Sequence, residues 1–201
     1  MPSQHSTSSV HPIDPASADA AFAVVVLAFG TDPAARWTWP RPGDFLRNMP
    51  LAAEAFGGKS FALGTADAID DFAGVALWLP PGVKADEEAL GALFERTAPS
   101  SIQQDLAGVF EQMGSFHPHE PHWYLPLIGV DPACQGRQLG DKLMAHALAR
   151  CDADRLPAYL ESSNPRNLGF YRCHGFESLG KIQVGSSPTI VPMLRKPRER
   201  N

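Results

Sequence analysis

From Gly129 to Gly140 the chain reads Gly-Val-Asp-Pro-Ala-Cys-Gln-Gly-Arg-Gln-Leu-Gly. An apolar stretch, Trp123 to Val130, enters this run, and a helix-patterned stretch, Gln138 to Cys151, leaves it. A strand that turns through glycines into a helix start presents N–H groups with no internal partner at the positive end of the helix dipole. That is chemistry for holding a phosphate. Glycines at 136 and 140 let a phosphate approach the backbone with no Cβ in the way. The expected ligand is therefore a phosphate-bearing cofactor. The run departs from the dinucleotide fingerprint, because Gln138 takes the place of the middle glycine. It departs from the Walker loop, because no Lys-Ser or Lys-Thr pair follows Gly140.

Other residues could also do chemistry. His117, His119 and His122 bring three imidazoles together, but no fourth ligand lies near, so no metal is expected. Cys134, Cys151 and Cys173 are an odd, scattered set that fits a reducing compartment better than a disulfide framework. Trp37, Trp39 and Trp78 could form an aromatic acceptor pocket, although tryptophans usually lie in the core or are partly buried.

These residues need a scaffold. Trp123 to Val130 reads as a strand. Leu139, Leu143, Met144, Ala147, Leu148 and Cys151 form one apolar face of a helix at three- and four-residue steps. Ala158 to Glu161 reads as a short strand. Asn164 caps a further helix with Pro165 in its first turn, and Gly175 stops that helix. Phe176 to Val184 and Thr189 to Leu194 read as the last two strands. In the N-terminal half, Ala16 to Phe29 reads as a buried helix and Thr31 to Gly43 as an irregular aromatic segment. Asp44 to Phe56 reads as a helix ended by Gly57-Gly58. Lys59 to Thr65 and Phe72 to Leu79 read as a hairpin. Asp86 to Arg96 and Ser100 to Met113 read as helices, and His117 to Pro121 as a proline-broken loop. Strands alternating with helices imply an α/β fold with a mixed sheet and helices on its faces. Residues 1–9 read as a disordered tail and 10–201 as a single domain.

With 44% hydrophobic residues among 201, the chain can bury a large core without staples. A net charge of -5 argues against a general nucleic-acid binder. No apolar run is long enough to span a membrane, and the first residues carry no secretory pattern, so the cytoplasm is expected.

The order of strand, phosphate turn, helix, strand, tyrosine-bearing helix, Gly175-Phe176 and final hairpin resembles the GNAT superfamily of acyl-CoA-dependent N-acyltransferases. The resemblance covers roughly residues 14–196 and is densest from Trp123 to Phe176. Asp32-Pro33-Ala34 with Arg36, Val75-Ala76-Leu77-Trp78, Glu120-Pro121 with Trp123, Asn167 to Tyr171, and Met193 to Pro197 look most like puromycin N-acetyltransferase-like members. The resemblance implies a mixed, mostly antiparallel sheet with helices on both faces and a splayed central strand pair. It implies acetyl-CoA as co-substrate and an amine of a small molecule as acceptor, with no nucleic-acid or membrane partner and with a homodimer left open. On this pattern Gln135, Gly136, Arg137, Gln138, Leu139 and Gly140 would hold the pyrophosphate through backbone N–H groups. Ile128, Gly129 and Val130 would pair with the pantetheine arm, and Asn164 and Asn167 would contact pantetheine or phosphate. Tyr171 would protonate the departing thiolate. A protonated amine is no nucleophile, so a base is required, with Glu161 the first candidate and His122 the second. Phe29, Trp37 and Trp123 would wall the acceptor cleft. The departure from the pattern is Gln138, where glycine is usual. It leaves open an alternative, an acyl-CoA sensor or interaction module with catalysis lost.

Overall fold

A computed structural model of the chain describes residues 8–198. Its seven strands form one sheet in the order β1-β2-β3-β4-β5-β7-β6. They are β1 Val10–Pro12, β2 Ala66–Ile69, β3 Gly74–Leu79, β4 Trp123–Val130, β5 Ala158–Ser162, β6 Glu177–Ser178 and β7 Val191–Arg195. The helices are α1 Ala18–Ala28, α2 Pro33–Thr38, α3 Pro42–Gly57, α4 Lys59–Ala62, α5 Glu87–Thr97, α6 Gln103–Phe116, α7 Leu139–Asp154 and α8 Leu168–Cys173. The ladders are antiparallel except that between β4 and β5.

β3 is buried along its whole length, and its alternation sorts two cores. Val75 and Leu77 face the layer of α1, α3, α5 and α6, with Val25, Ala53, Phe94 and Leu106. Ala76 and Trp78 face α7 and α8, with Leu143, Met144 and Tyr171. The apolar stripe read along α7 is buried at all six positions.

β4 carries the irregularity that matters for the site. Leu77 pairs with Leu127, but Leu79 pairs with Tyr124, so Leu125 and Pro126 together oppose Trp78. This is a β-bulge. Side-chain facing flips across it: Trp123 and Leu125 point to the α7 core before the bulge, and Ile128 and Val130 do so after it. Pro126, which has no N–H, thus sits where the ladder is already interrupted. β4 then meets β5 at only two rungs, Trp123 with Ala158 and Tyr124 with Tyr159. Beyond Tyr124 the two strands part. Gly129 lets α1 pass directly over β4, because a Cβ there would lie 2.6 Å from that of Ala28.

Three sequence expectations are corrected. Thr31 to Gly43 is not wholly irregular: Asp32 accepts hydrogen bonds from Ala34 N and Ala35 N, Pro33 takes the first turn, and α2 forms. Lys59 to Thr65 is not a strand. It holds the single turn of α4, and β3 pairs instead with β2, whose Asp67 is buried against the Arg150 guanidinium at 2.6 Å. Phe176 to Val184 ladders only at Glu177 and Ser178, with an isolated bridge from Ile182 to Ile190. Most of the expected tail, residues 1–9, lies outside the described residues. Within them, Asp70 N donates to Ser9 O at 3.1 Å.

Candidate active site

The turn between β4 and α7 begins with Asp131, whose carboxylate accepts from Ala133 N at 2.8 Å and sets a short 3-10 turn, Pro132–Cys134. Gly136 and Gln138 both take left-handed φ angles, +76° and +59°. Left-handed residues interleaved with ordinary ones swing successive amides to one side and make an anion-binding concavity. The first backbone bond after the turn is Lys142 N to Gln138 O at 3.2 Å. Among the described residues, the N–H groups of Gln135 to Asp141 donate to no protein group, and no side chain caps α7. Leu139 buries its side chain and offers only its amide, whereas Gly136, Arg137 and Gln138 are exposed.

β4 continues this array. Asp131 N donates to Ala73 O on the β3 side at 2.9 Å. By the two-residue alternation of an antiparallel ladder, the amides of Gly129 and Leu127 also turn to β3, and those of Ile128 and Val130 turn to the gap beside β5. The Val130 carbonyl, on that open edge, accepts from Gln135 Nε2 at 3.4 Å. The geometry divides the expected trio: Ile128 and Val130 present donors to the gap, and Gly129 serves the packing of α1.

On the other side of the gap, Tyr159, Glu161 and Ser163 alternate with Leu160 and Ser162 and face the α5–α6 layer. Two cavities meet at Glu161. The larger, about 900 Å³, opens between α5, α6 and the loop after α6. The smaller, about 130 Å³, runs past Asp32, Pro126, Leu127 and Ser163 towards the β4–β5 gap. Phe94, Phe110, Met113, Tyr124 and Glu161 line both. Glu87 and Glu95 stand along the larger cavity, with Lys84 the one cation among its lining residues.

Glu161 is connected. Its side chain is 5% exposed, and its Oε1 lies 3.8 Å from His117 Nδ1. His117 Nε2 lies 3.0 Å from His122 Nε2, and His122 Nδ1 donates to the Glu120 carbonyl at 2.7 Å. The two sequence-derived base candidates, Glu161 and His122, are thus joined through His117. These two imidazoles use their nitrogens on each other, and among the described residues no three His, Cys, Asp or Glu side chains gather to hold a metal ion. Burial holds the His122 imidazole below its ordinary range, against the pull of the Glu120 carbonyl. Burial first, and the Glu161 charge second, push the Tyr124 and Tyr159 phenols up.

Tyr171 lies buried on α8, and burial followed by the charge of Asp32 raises its phenol, so it keeps its proton through the neutral range. Asp32 itself accepts from Ser163 Oγ at 2.6 Å, tying α2 to the end of β5, and burial holds its carboxyl above the aspartate range. Phe29 and Trp37 line the smaller cavity, and Trp37 Nε1 donates to Ser186 Oγ at 3.2 Å. Trp123 is a correction. It lies on the α7 face of the sheet, donates from Nε1 to Asp154 Oδ2 at 2.9 Å and packs under Arg150, because it precedes the bulge that reverses β4. Asn164 accepts from Arg166 N and caps the turn before α8, while Asn167 is exposed. Sequence reasoning missed Asp32, Tyr124 and Tyr159, and weighed His117 only as a metal ligand. The Asp-Pro pair was a visible capping signal, but the others converge only through the fold.

The site is thus a central strand that diverges from its parallel neighbour above a turn of free amides, in an α/β protein. The family model described as Acetyltransferase (GNAT) family matches residues 38–176, and the chain belongs to that family. The sheet is the GNAT arrangement, mixed, mostly antiparallel and open, with helices. A curated relative from Schizosaccharomyces pombe, named as an uncharacterized N-acetyltransferase, is 29% identical over an alignment of 150 residues that covers 64% of this chain and 58% of the relative. The chain therefore spans less than two thirds of that relative's length. The structure of a histone acetyltransferase HPA2 and related acetyltransferase from Corynebacterium glutamicum is 27% identical, with a TM-score of 0.70, over 97% of this chain and 99% of that one. A polyamine N-acetyltransferase of Drosophila melanogaster superposes with a TM-score of 0.66 at 11% identity, covering 94% of this chain and 100% of its own. Arylalkylamine N-acetyltransferase 2 of Aedes aegypti gives 0.65 at 13% identity, covering 96% and 100%. The last two are likenesses of fold. Among the described residues no helix is long and apolar enough to cross a membrane.

Proposed function

We propose that this chain transfers an acetyl group from acetyl-CoA to the primary amine of a small molecule, by direct attack in a ternary complex. The observation that carries the proposal is the position of the Glu161 carboxylate. It stands where a cavity large enough for an acceptor meets one that leads to the β4–β5 gap.

The donor set fits acetyl-CoA. Free amides from Gln135 to Asp141 suit its pyrophosphate, and the Ile128 and Val130 amides suit the amide groups of pantetheine. When bound, acetyl-CoA supplies an acetyl group activated as a thioester. The protein's own groups do the rest. Amides on the free edge of β4 polarise the carbonyl, Glu161 removes protons from the acceptor nitrogen, and Tyr171 protonates the sulfur. Phe94 and Phe110, with ring centres 5.2 Å apart, give the acceptor cavity an aromatic wall, and Glu87 and Glu95 give it negative charge. This supports a cationic amine carried on an apolar or aromatic body, in keeping with the resemblance to puromycin N-acetyltransferase-like members. A cysteine-bound acyl route has less support: burial pushes the Cys151 thiol up to about 12, and among the described residues neither Cys134 nor Cys173 makes a side-chain hydrogen bond to a base.

The test is release of free CoA from acetyl-CoA with a panel of arylalkylamines, polyamines, aminonucleosides and peptides. Turnover with at least one amine is expected, and the greatest with an amine on an apolar body. Tight acetyl-CoA binding without turnover on any member would support the sensor reading instead.

A further inference from the structure

The histidine pair beside Glu161 has fixed proton positions, and these follow from one carbonyl. A carbonyl oxygen only accepts, so the ring nitrogen 2.7 Å from the Glu120 oxygen, His122 Nδ1, carries a hydrogen. In a neutral ring the other nitrogen, Nε2, is then an acceptor. His117 Nε2, 3.0 Å away, must be the donor in that contact. The neutral His117 ring is left with a bare lone pair on Nδ1, and Nδ1 is the atom that faces Glu161 Oε1 at 3.8 Å. Two acceptors face each other there. A proton placed on Nδ1 turns that contact into an ion pair, at a separation that the charges close or one water bridges.

We infer that His117, with its tautomer set by His122 and the Glu120 carbonyl, is the proton outlet of Glu161. The inference rests on the acetyl-transfer reading above. Both histidines act through Glu161 and are positioning residues. Conversion of an alkylammonium and a thioester to an amide and a thiol releases one proton overall. Glu161 first takes one proton from the alkylammonium, which frees the lone pair that forms the C–N bond, and takes the second as that bond forms. Each time, the O–H bond on Glu161 breaks as an N–H bond forms on His117 Nδ1, and the imidazolium gives its proton to water. Tyr171 supplies one proton to sulfur as the C–S bond breaks and regains it from solvent. The exposures fit this direction of flow: the Glu161 side chain is 5% exposed and that of His117 is 32% exposed, on the loop that lines the large cavity. Facing His117 are Glu161 and Tyr159 from β5, Tyr124 from β4 and His122 from its own loop. Both phenols are held neutral by burial, so among the described residues Glu161 is the carboxylate that His117 meets.

Two measurements on the full chain test this. Nitrogen-15 spectra of the histidine rings should show His122 in the Nδ1–H form and His117 in the Nε2–H form at neutral pH, and His122→Phe should release His117 from that form. Wild-type His117 in the Nδ1–H form would overturn the inference, whatever the activity. In the CoA-release assay, His117→Gln should lower kcat on the order of tenfold near neutral pH with little change in the KM for amine. The deficit should shrink as pH rises towards the amine's own pKa, and added imidazole should restore part of the rate. A deficit equal at all pH values and insensitive to imidazole would mark His117 as merely structural. Wild-type protein that releases no CoA with any amine would instead overturn the acetyl-transfer reading, leaving the ring tautomers to be judged by the spectra alone.

Discussion

Gln138 is a side chain placed where the backbone geometry favours glycine. It holds the left-handed conformation that glycine adopts at little cost, on the rim of the amide array. Gln138→Gly relieves about 1 kcal/mol of backbone strain and gives back a similar amount as unfolded-chain entropy. The melting temperature should therefore change little, while acetyl-CoA binding by calorimetry tightens as the side chain leaves the rim. Weaker binding by the variant would mean that the glutamine side chain itself contacts the ligand. Glu161→Gln keeps shape and removes the proposed base. Its CoA release at neutral pH should fall by about 100-fold or more. Tyr171→Phe should slow turnover without abolishing it, because a thiolate is a tolerable leaving group. An unchanged rate on a reactive amine would remove Tyr171 from the mechanism.

At the level of elements, the strand and helix that flank the glycine turn were the most legible part of the chain. β4 and α7 carry long, clean periodicities, and the structure places them within three residues of where the pattern put them. β2 was hidden, because its Asp67 looks wrong for a buried strand until Arg150, far along the chain, supplies a counter-charge. The bulge in β4 was hidden too: Pro126 hints at it, but the side to which Trp123 turns depends on pairing with β3. The histidine chain could not be read at all, since it needs the end of α6 folded back over β5. Two outcomes belong at this scale. Gly129→Ala forces α1 off β4 and should cost about 1–3 kcal/mol, read by denaturant unfolding, while loosening acetyl-CoA. Asp32→Asn tests the α2 tether. Burial raises the Asp32 carboxyl, so the native state holds that proton more tightly than the unfolded chain. Its share of stability is full at low pH and is lost as pH rises through the ordinary aspartate value into the raised one. The asparagine variant keeps the cap and removes that slope, so its melting temperature between pH 3 and 7 should decline less with rising pH than that of the wild type. Parallel curves would show that Asp32 does not titrate there.

For the whole molecule, the two faces of the sheet divide the labour. The α7–α8 face adjoins the amide array, the α1–α6 face builds the larger cavity, and Glu161 lines that cavity beside the β4–β5 gap. The last strand is locked by a two-pronged bond from Arg195 to Asp152, at 2.7 and 2.8 Å, which holds the Asp152 carboxyl below its ordinary range. The two-rung union of β4 with β5 has a mechanical consequence. Along that line the sheet is two rafts joined at one end, β1 to β4 and β5 to β7, with main-chain amides on the free lip of the first. A slender molecule lying in the cleft would lace the rafts together. Hydrogen–deuterium exchange should therefore slow across β5 and β7 when acetyl-CoA is added, well beyond the residues it touches.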